Sequence, residues 1–274
     1  MTQSSNTSLK GQFALILGAS SGFGEATSLE LARHGMHIFG VHLDRHATMV
    51  NVERITGEIR AGGSEAHYFN YNAADAEKRA EVVAALKERI LSDSKGPQTV
   101  RVLMHSLAFG TLRPFMSEDS KERISQAQME MTLDVMANSL VYWTQDLYAA
   151  GLLGQGSRIY AMTSAGSTRV VPTYGAVSAA KAALESHVRQ LAMELAKTGV
   201  TVNAIRAGVT DTPALRKIPV SARLLESAEK ANPSGRVTTT EDIAKAIAVF
   251  ALDGTQWLTG NVLGVDGGED IASW

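Results

Sequence analysis

Short apolar runs rich in β-branched residues alternate along this chain with longer stretches in which apolar positions recur every three or four residues. The short runs predict strands at Phe13–Leu17, His37–His42, Glu65–Phe69, Val100–His105, Ser157–Ala161, Thr201–Ile205 and Val262–Val265. The longer ones predict helices at Gly24–His34, Thr48–Ala61, Ala76–Ser92, Gln126–Ala150, Tyr174–Lys197 and Thr240–Leu252. Strands that are apolar throughout are buried on both faces, and their alternation with helices is the pattern of a parallel sheet wound on both sides. The last helix carries a start signal, Thr240 with Glu241 and Asp242 in the first turn, where negative charge meets the positive end of the helix dipole. The expected fold class is α/β: one doubly wound domain over residues 11–274, with a seven-stranded parallel sheet flanked by helices, behind a flexible N-terminus at residues 1–10. The least regular segment, Gly208–Arg236, contains Pro213, Pro219 and Pro233. It follows the carboxyl end of a predicted strand, where such folds place ligands, and is expected to be a substrate-binding loop, with a plain surface loop carrying a short helix as the alternative.

The first strand runs into Gly18-Ala-Ser20-Ser21-Gly22-Phe23-Gly24, and a helix opens at its end. Glycines allow the tight turn and the close approach of backbone to a pyrophosphate, whose charge is favoured at a helix N-terminus. A dinucleotide site is therefore expected at Gly18, Ser20, Ser21, Gly22, Phe23 and Gly24, in a Rossmann-type domain. The second strand ends in Val41-His42-Leu43-Asp44-Arg45. Counting from Gly18, the position at which an acidic residue would hold the ribose of NAD falls on His42. With Arg45 close behind to meet a 2′-phosphate, NADPH is expected ahead of NADH.

Tyr174 and Lys181 stand seven positions apart in a predicted helix. At about 100° and 1.5 Å per residue, seven residues return a side chain to nearly the same face, roughly 10 Å along the axis. A phenol and an ammonium on one face beside a nicotinamide suggest a proton donor and the cation that tunes it. Composition narrows the remaining choices. The 274 residues are 45% hydrophobic and 20% charged with a net charge of −2, so nucleic acid and anionic membranes are not expected partners. No cysteine is present, and the seven histidines form no ligand set, which leaves metal, disulfide and thiolate chemistry without residues. No apolar run approaches the roughly 20 residues that span a bilayer, and residues 1–10 do not read as a secretory signal, so a cytoplasmic location is expected.

Several segments together resemble the short-chain dehydrogenase/reductase superfamily, and within it the enoyl-acyl-carrier-protein reductases of fatty-acid synthesis. They are the glycine turn, His105-Ser106-Leu107-Ala108-Phe109, Pro172-Thr173-Tyr174 with Lys181, Val202-Asn203-Ala204-Ile205, Asn232-Pro233-Ser234-Gly235-Arg236 and Val265-Asp266-Gly267-Gly268. The resemblance implies Tyr174 and Lys181 as catalytic residues, and cofactor contacts from Lys181, Asn72, Ser106, Leu107, Ala108, Gly208, Val209, Thr210 and Thr212. It also implies an enoyl thioester substrate on acyl carrier protein and a homotetramer with helices Gln126–Ala150 and Tyr174–Lys197 at its main interface. The chain departs from the family pattern in three places. Ser164 stands where a second tyrosine is common, and orients substrate or Tyr174 or serves only as a turn residue. Met136 replaces the asparagine that ketoreductases use to hold a relay water. Ala207-Gly208-Val209 lacks the usual proline. Ser164 favours the branch of enoyl reductases nearest the ketoreductases, Met136 weighs against a ketoreductase and the missing proline implies a differently set nicotinamide-side loop, with a carbonyl reductase or a non-catalytic nucleotide sensor as alternatives. Phe109, Met162 and the apolar part of Gly208–Arg236 are candidates for an acyl channel. Arg113, Arg169, Arg216 and Lys217 face either a carrier protein or solvent.

Overall fold

A computed structural model describes residues 8–94 and 96–272. The parallel strands are β1 (Phe13–Leu17), β2 (His37–His42), β3 (Ala66–Asn70), β4 (Val100–His105), β5 (Arg158–Ser164), β6 (Thr201–Ala207) and β7 (Val262–Val265). They form one sheet in the order β3-β2-β1-β4-β5-β6-β7. Its helices are α1 (Gly22–Arg33), α2 (Met49–Ala61), α3 (Ala76–Leu91), α4 (Gln126–Leu133), α5 (Ser139–Ala149), α6 (Gly175–Leu195), α7 (Ser221–Ala231) and α8 (Thr240–Phe250). This is a Rossmann-type α/β fold.

The strand pattern explains how both faces are filled. Phe13, Leu15 and Leu17 of β1 join a core with Val82, Leu86, Trp143 and Leu184, whereas Ala14 and Ile16 join a second core with Leu31, Ile55, Ile59, Ile243 and Ile247. Helices α3, α5 and α6 therefore cover one face and α1, α2 and α8 the other. Of the expected flexible N-terminus, residues 1–7 lie outside the described residues, and Leu9 is buried in the second core. Chain order reverses between β1 and β4, which opens a crevice at their carboxyl ends. There the Ser106 amide donates to Leu17 O at 2.9 Å, joining the segment after β4 to the glycine turn.

Three elements differ from the sequence pattern. The expected helix Gln126–Ala150 is divided by a π turn at Asp134–Asn138. Just after it the Ser139 hydroxyl donates to Val135 O and meets His105 Nε2, both at 2.8 Å. The segment Gly208–Arg236 contains α7, an amphipathic helix set between Pro219 and Pro233. Helix α8 is capped by Thr239 rather than Thr240, through a reciprocal pair of hydrogen bonds with Asp242.

Candidate active site

The glycine turn is shaped by its own backbone. A Cβ on Gly24 would lie 2.0 Å from Gly18 O, so only glycine fits there. Ser21, the residue before α1, makes no side-chain cap bond, unlike Asp75 before α3 or Ser125 before α4. The first amides of α1 are thus left to an anion, which suits the pyrophosphate of a dinucleotide. Gly24→Ala is expected to destabilise the protein by about 1–3 kcal/mol through overpacking. It should also abolish the thermal shift produced by a nicotinamide nucleotide, which differential scanning fluorimetry would measure.

At the end of β2 the geometry departs from expectation. His42 is only 3% exposed, and its Nδ1 lies 3.0 Å from Asp44 Oδ2, so the ring faces a carboxylate and not solvent. Burial lowers the His42 pKa despite that partner. Burial acts against charge on Asp44 too, but hydrogen bonds from Ser20, Thr48 and His42 outweigh it and hold the carboxyl below its usual range. The Asp44 backbone is fixed by Asn70, which accepts from its amide and donates to its carbonyl, both at 2.9 Å. An ionised, preset carboxylate therefore stands beside Ser20 of the glycine turn, and Arg45 lies exposed beyond it. Asn72 is also exposed, with its Oδ1 accepting from Ala74 N at 3.0 Å.

Strand β5 gathers the catalytic candidates. Tyr174 caps α6, and the Ser178 amide donates to its carbonyl at 2.8 Å, closing the first turn. Its hydroxyl approaches Ser164 Oγ at 3.5 Å, at the end of β5. Ser164 Oγ already accepts from Gly166 N, which leaves its proton for Tyr174. Burial raises the Tyr174 pKa, with Ser164 acting in the opposite direction. Thr173, directly before it, is a β-branched residue at φ 63°, a left-handed conformation costing roughly 1–3 kcal/mol of the kind found where function fixes a side chain.

About two turns further on, Lys181 is 6% exposed and donates from Nζ to Met162 O at 2.7 Å. Desolvation lowers its pKa to about 8, while Glu185 acts to raise it. The sequence pattern missed Glu185, which stands four residues after Lys181 on the same helix and accepts from Thr163 Oγ1 at 2.6 Å. That spacing was the available signal. Ser164, Met162 and Thr163 thus give the end of β5 three contacts to the catalytic helix. The residue four places before Lys181 is Val177, 5% exposed and packed in the first core, and Met136 beside it is 2% exposed.

The nicotinamide-side loop follows β6, whose Ala207 pairs with Ser164 of β5. Thr210 and Thr212 are both buried, and a Cβ on Gly22 would lie 3.6 Å from Thr212, so this loop spans from Ser164 to the glycine turn. Ser106 and Leu107 lie half buried on the opposite side and Ala108 is exposed. The structure thus gathers the glycine turn, Ser106–Ala108, the end of β5 and Gly208–Thr212 around one crevice. Met162 does not line a channel: its side chain is 4% exposed in the second core and only its carbonyl serves the site. Phe109 is exposed, as are Phe115 and Met116 from the segment after β4 and Val170 from the approach to Tyr174. Arg216 is paired with Asp211 and Arg169 with Asp270, which leaves neither as a bare surface cation. Among the described residues no cluster of potential metal ligands occurs and no helix is long and apolar enough to cross a membrane.

A family model described as enoyl-(acyl carrier protein) reductase matches residues 18–269. The 3-oxoacyl-[acyl-carrier-protein] reductase of Pseudomonas aeruginosa is 29% identical over 262 residues, covering 95% of this chain and 98% of that protein. The NADH-dependent enoyl-[acyl-carrier-protein] reductase of Aquifex aeolicus is 33% identical over 170 residues, 62% of each chain. A crystal structure of enoyl-[acyl-carrier-protein] reductase (NADH) from Aquifex aeolicus superposes with a TM-score of 0.82 at 26% identity, covering 97% of this chain and 99% of that one. The fold, the crevice and these similarities lead to one assignment: the chain belongs to the short-chain dehydrogenase/reductase superfamily and is a nicotinamide-dependent oxidoreductase of its fatty-acid-reductase type.

Proposed function

We propose that the protein reduces the 2,3-double bond of an enoyl thioester carried on acyl carrier protein. The observation that carries this reading is the position of the phenol. Tyr174 stands seven residues before Lys181 with its hydroxyl at Ser164, and the place four before the lysine holds the buried Val177. In a ketoreductase the acid protonates the oxygen next to the carbon that receives hydride. In an enoyl thioester, negative charge gathers on the thioester oxygen, farther along the conjugated system, so the acid must stand elsewhere. Setting the tyrosine back relative to the lysine moves it in that sense.

A bound nicotinamide nucleotide supplies the hydride. Tyr174 donates a hydrogen bond to the developing enolate, an interaction strongest in the transition state. Ser164 keeps the phenol oriented, and Lys181 places positive charge near the enolate and the nicotinamide ribose. Phe109, Phe115 and Val170 give the acyl chain an apolar approach. The resemblance adds a homotetramer, which size-exclusion chromatography with light scattering would test.

For the cofactor, the position of Asp44 supports NADH, in place of the NADPH expected from His42 and Arg45. A carboxylate beside the glycine turn accepts from a ribose hydroxyl and repels a 2′-phosphate. Asp44→Ala is expected to raise the NADPH-to-NADH ratio of kcat/KM by about tenfold, equivalent to roughly 1.4 kcal/mol. An unchanged ratio would restore the NADPH reading.

A carbonyl reductase is the second reading, favoured by the whole-length similarity to a 3-oxoacyl reductase. Oxidation of NADH and NADPH should be followed with crotonyl and acetoacetyl thioesters side by side. Turnover of the enoyl substrate supports the proposal, and turnover of the ketoacyl substrate alone would replace it with the second reading.

A further inference from the structure

The nicotinamide-side loop is held from behind by the turn that follows β7. The Val209 amide donates to Glu269 Oε2 at 2.9 Å, the Gly208 amide donates to Val265 O at 3.3 Å, and the Thr210 hydroxyl donates to Gly208 O at 2.9 Å. The first of these bonds depends on the absence of proline at position 209, because proline has no amide hydrogen to give. It depends equally on Gly208, where a Cβ would fall 2.8 Å from Glu269 Oε2 and 2.3 Å from Thr238 Oγ1. The turn is itself secured: Gly268 N donates to Asp266 Oδ1 at 3.0 Å, and Asn232 Nδ2 donates to Asp266 O at 2.8 Å. The next residue, Asp270, pairs at 2.8 Å with both Arg169, on the approach to Tyr174, and Arg206 of β6. Two consecutive carboxylates on one turn therefore grip the two segments that wall the site.

We infer that Glu269 is a positioning residue for the nicotinamide end of the cofactor, setting Gly208–Thr212 through its hydrogen bond to the Val209 amide. The inference rests on the assignment of this loop to the nicotinamide and is independent of which substrate is reduced. Glu269 meets the loop at Val209, next to β6, whereas the loop reaches the glycine turn only at Thr212, so its effect is expected to fall on the nicotinamide end of the dinucleotide. ADP-ribose, which lacks the nicotinamide, reports the other end.

Wild type, Glu269→Ala, Glu269→Gln, Val209→Pro and the double variant Glu269→Ala with Val209→Pro would be titrated with NADH and with ADP-ribose by calorimetry. Glu269→Ala is expected to weaken NADH about tenfold while ADP-ribose stays within about twofold of wild type, and Glu269→Gln to recover most of the loss because its amide oxygen accepts the same bond. The double variant should bind NADH no more weakly than Val209→Pro alone, since the donor is already gone. Equal losses for both ligands, additive losses in the double variant, or no loss in Glu269→Ala would overturn the inference. A structural role alone would lower the melting temperature of Glu269→Ala and leave the NADH-to-ADP-ribose ratio unchanged, which also overturns it. Failure of the enoyl-thioester assay with this NADH selectivity intact would discard the proposed reaction and leave Glu269's role standing.

Discussion

Tyr174→Phe should lower kcat for enoyl-thioester reduction by about 10²–10⁴-fold, the usual contribution of a positioned general acid, with little change in KM. The ring remains, so packing at the start of α6 is kept. Only the hydroxyl that meets Ser164 Oγ is lost. Because burial raises the tyrosine's pKa, the hydroxyl stays protonated at neutral pH and can donate to an oxygen that gains charge. A bond made mainly in the transition state appears in kcat and not in substrate binding. The measurement is steady-state turnover of crotonyl thioester beside NADH binding, which should be unaffected. A kcat within tenfold of wild type would remove Tyr174 from the chemistry.

Lys181→Met is expected to cost about 10²–10³-fold in kcat/KM, the scale for removing a preorganised charge from a water-excluded site. The same lysine predicts the pH profile. It is cationic below its pKa, and burial brings that pKa down to about 8, so kcat/KM should fall as pH rises through 8 while cofactor and substrate are unchanged. Glu185 opposes the effect of burial, and Glu185→Gln should therefore move the alkaline limb to lower pH. The limb should vanish from the residual activity of Lys181→Met. A limb that stays in place in Glu185→Gln would show that another group titrates.

The sheet was legible because its strands are nearly continuous apolar runs, which only a doubly covered parallel sheet requires. That same property hid the direction of His42. In a strand buried on both faces, apolar alternation does not say which way a terminal side chain points, and the ring turned inward to Asp44. The pairing of Tyr174 with Lys181 was legible as a spacing, since helix geometry carries spacing directly into space, whereas Ser164 came forward only through the family resemblance. Glu269 was not, because its contact with Val209 joins two irregular segments far apart in the chain. Helix α7 entered the sequence reading only as the alternative of a loop carrying a short helix, because the prolines on either side mark a loop more strongly than its short amphipathic pattern marks a helix.

The π turn between α4 and α5 sets a limit on how this chain can vary in length. A π turn absorbs one residue more than an α turn holds, so the helices on either side keep the phase of an uninterrupted α-helix. Deleting one residue from Asp134–Asn138 would close the turn as α-helix with that phase kept, whereas a further residue that the turn does not absorb would rotate everything after it by about 100° and advance it about 1.5 Å. Ser139 would leave His105, and Trp143 Nε1 would leave the Ala73 carbonyl it meets at 2.8 Å. Side-chain replacements on the outer surface of this turn leave that phase intact. Helix length here is therefore open to the loss of one residue and closed to the gain of another.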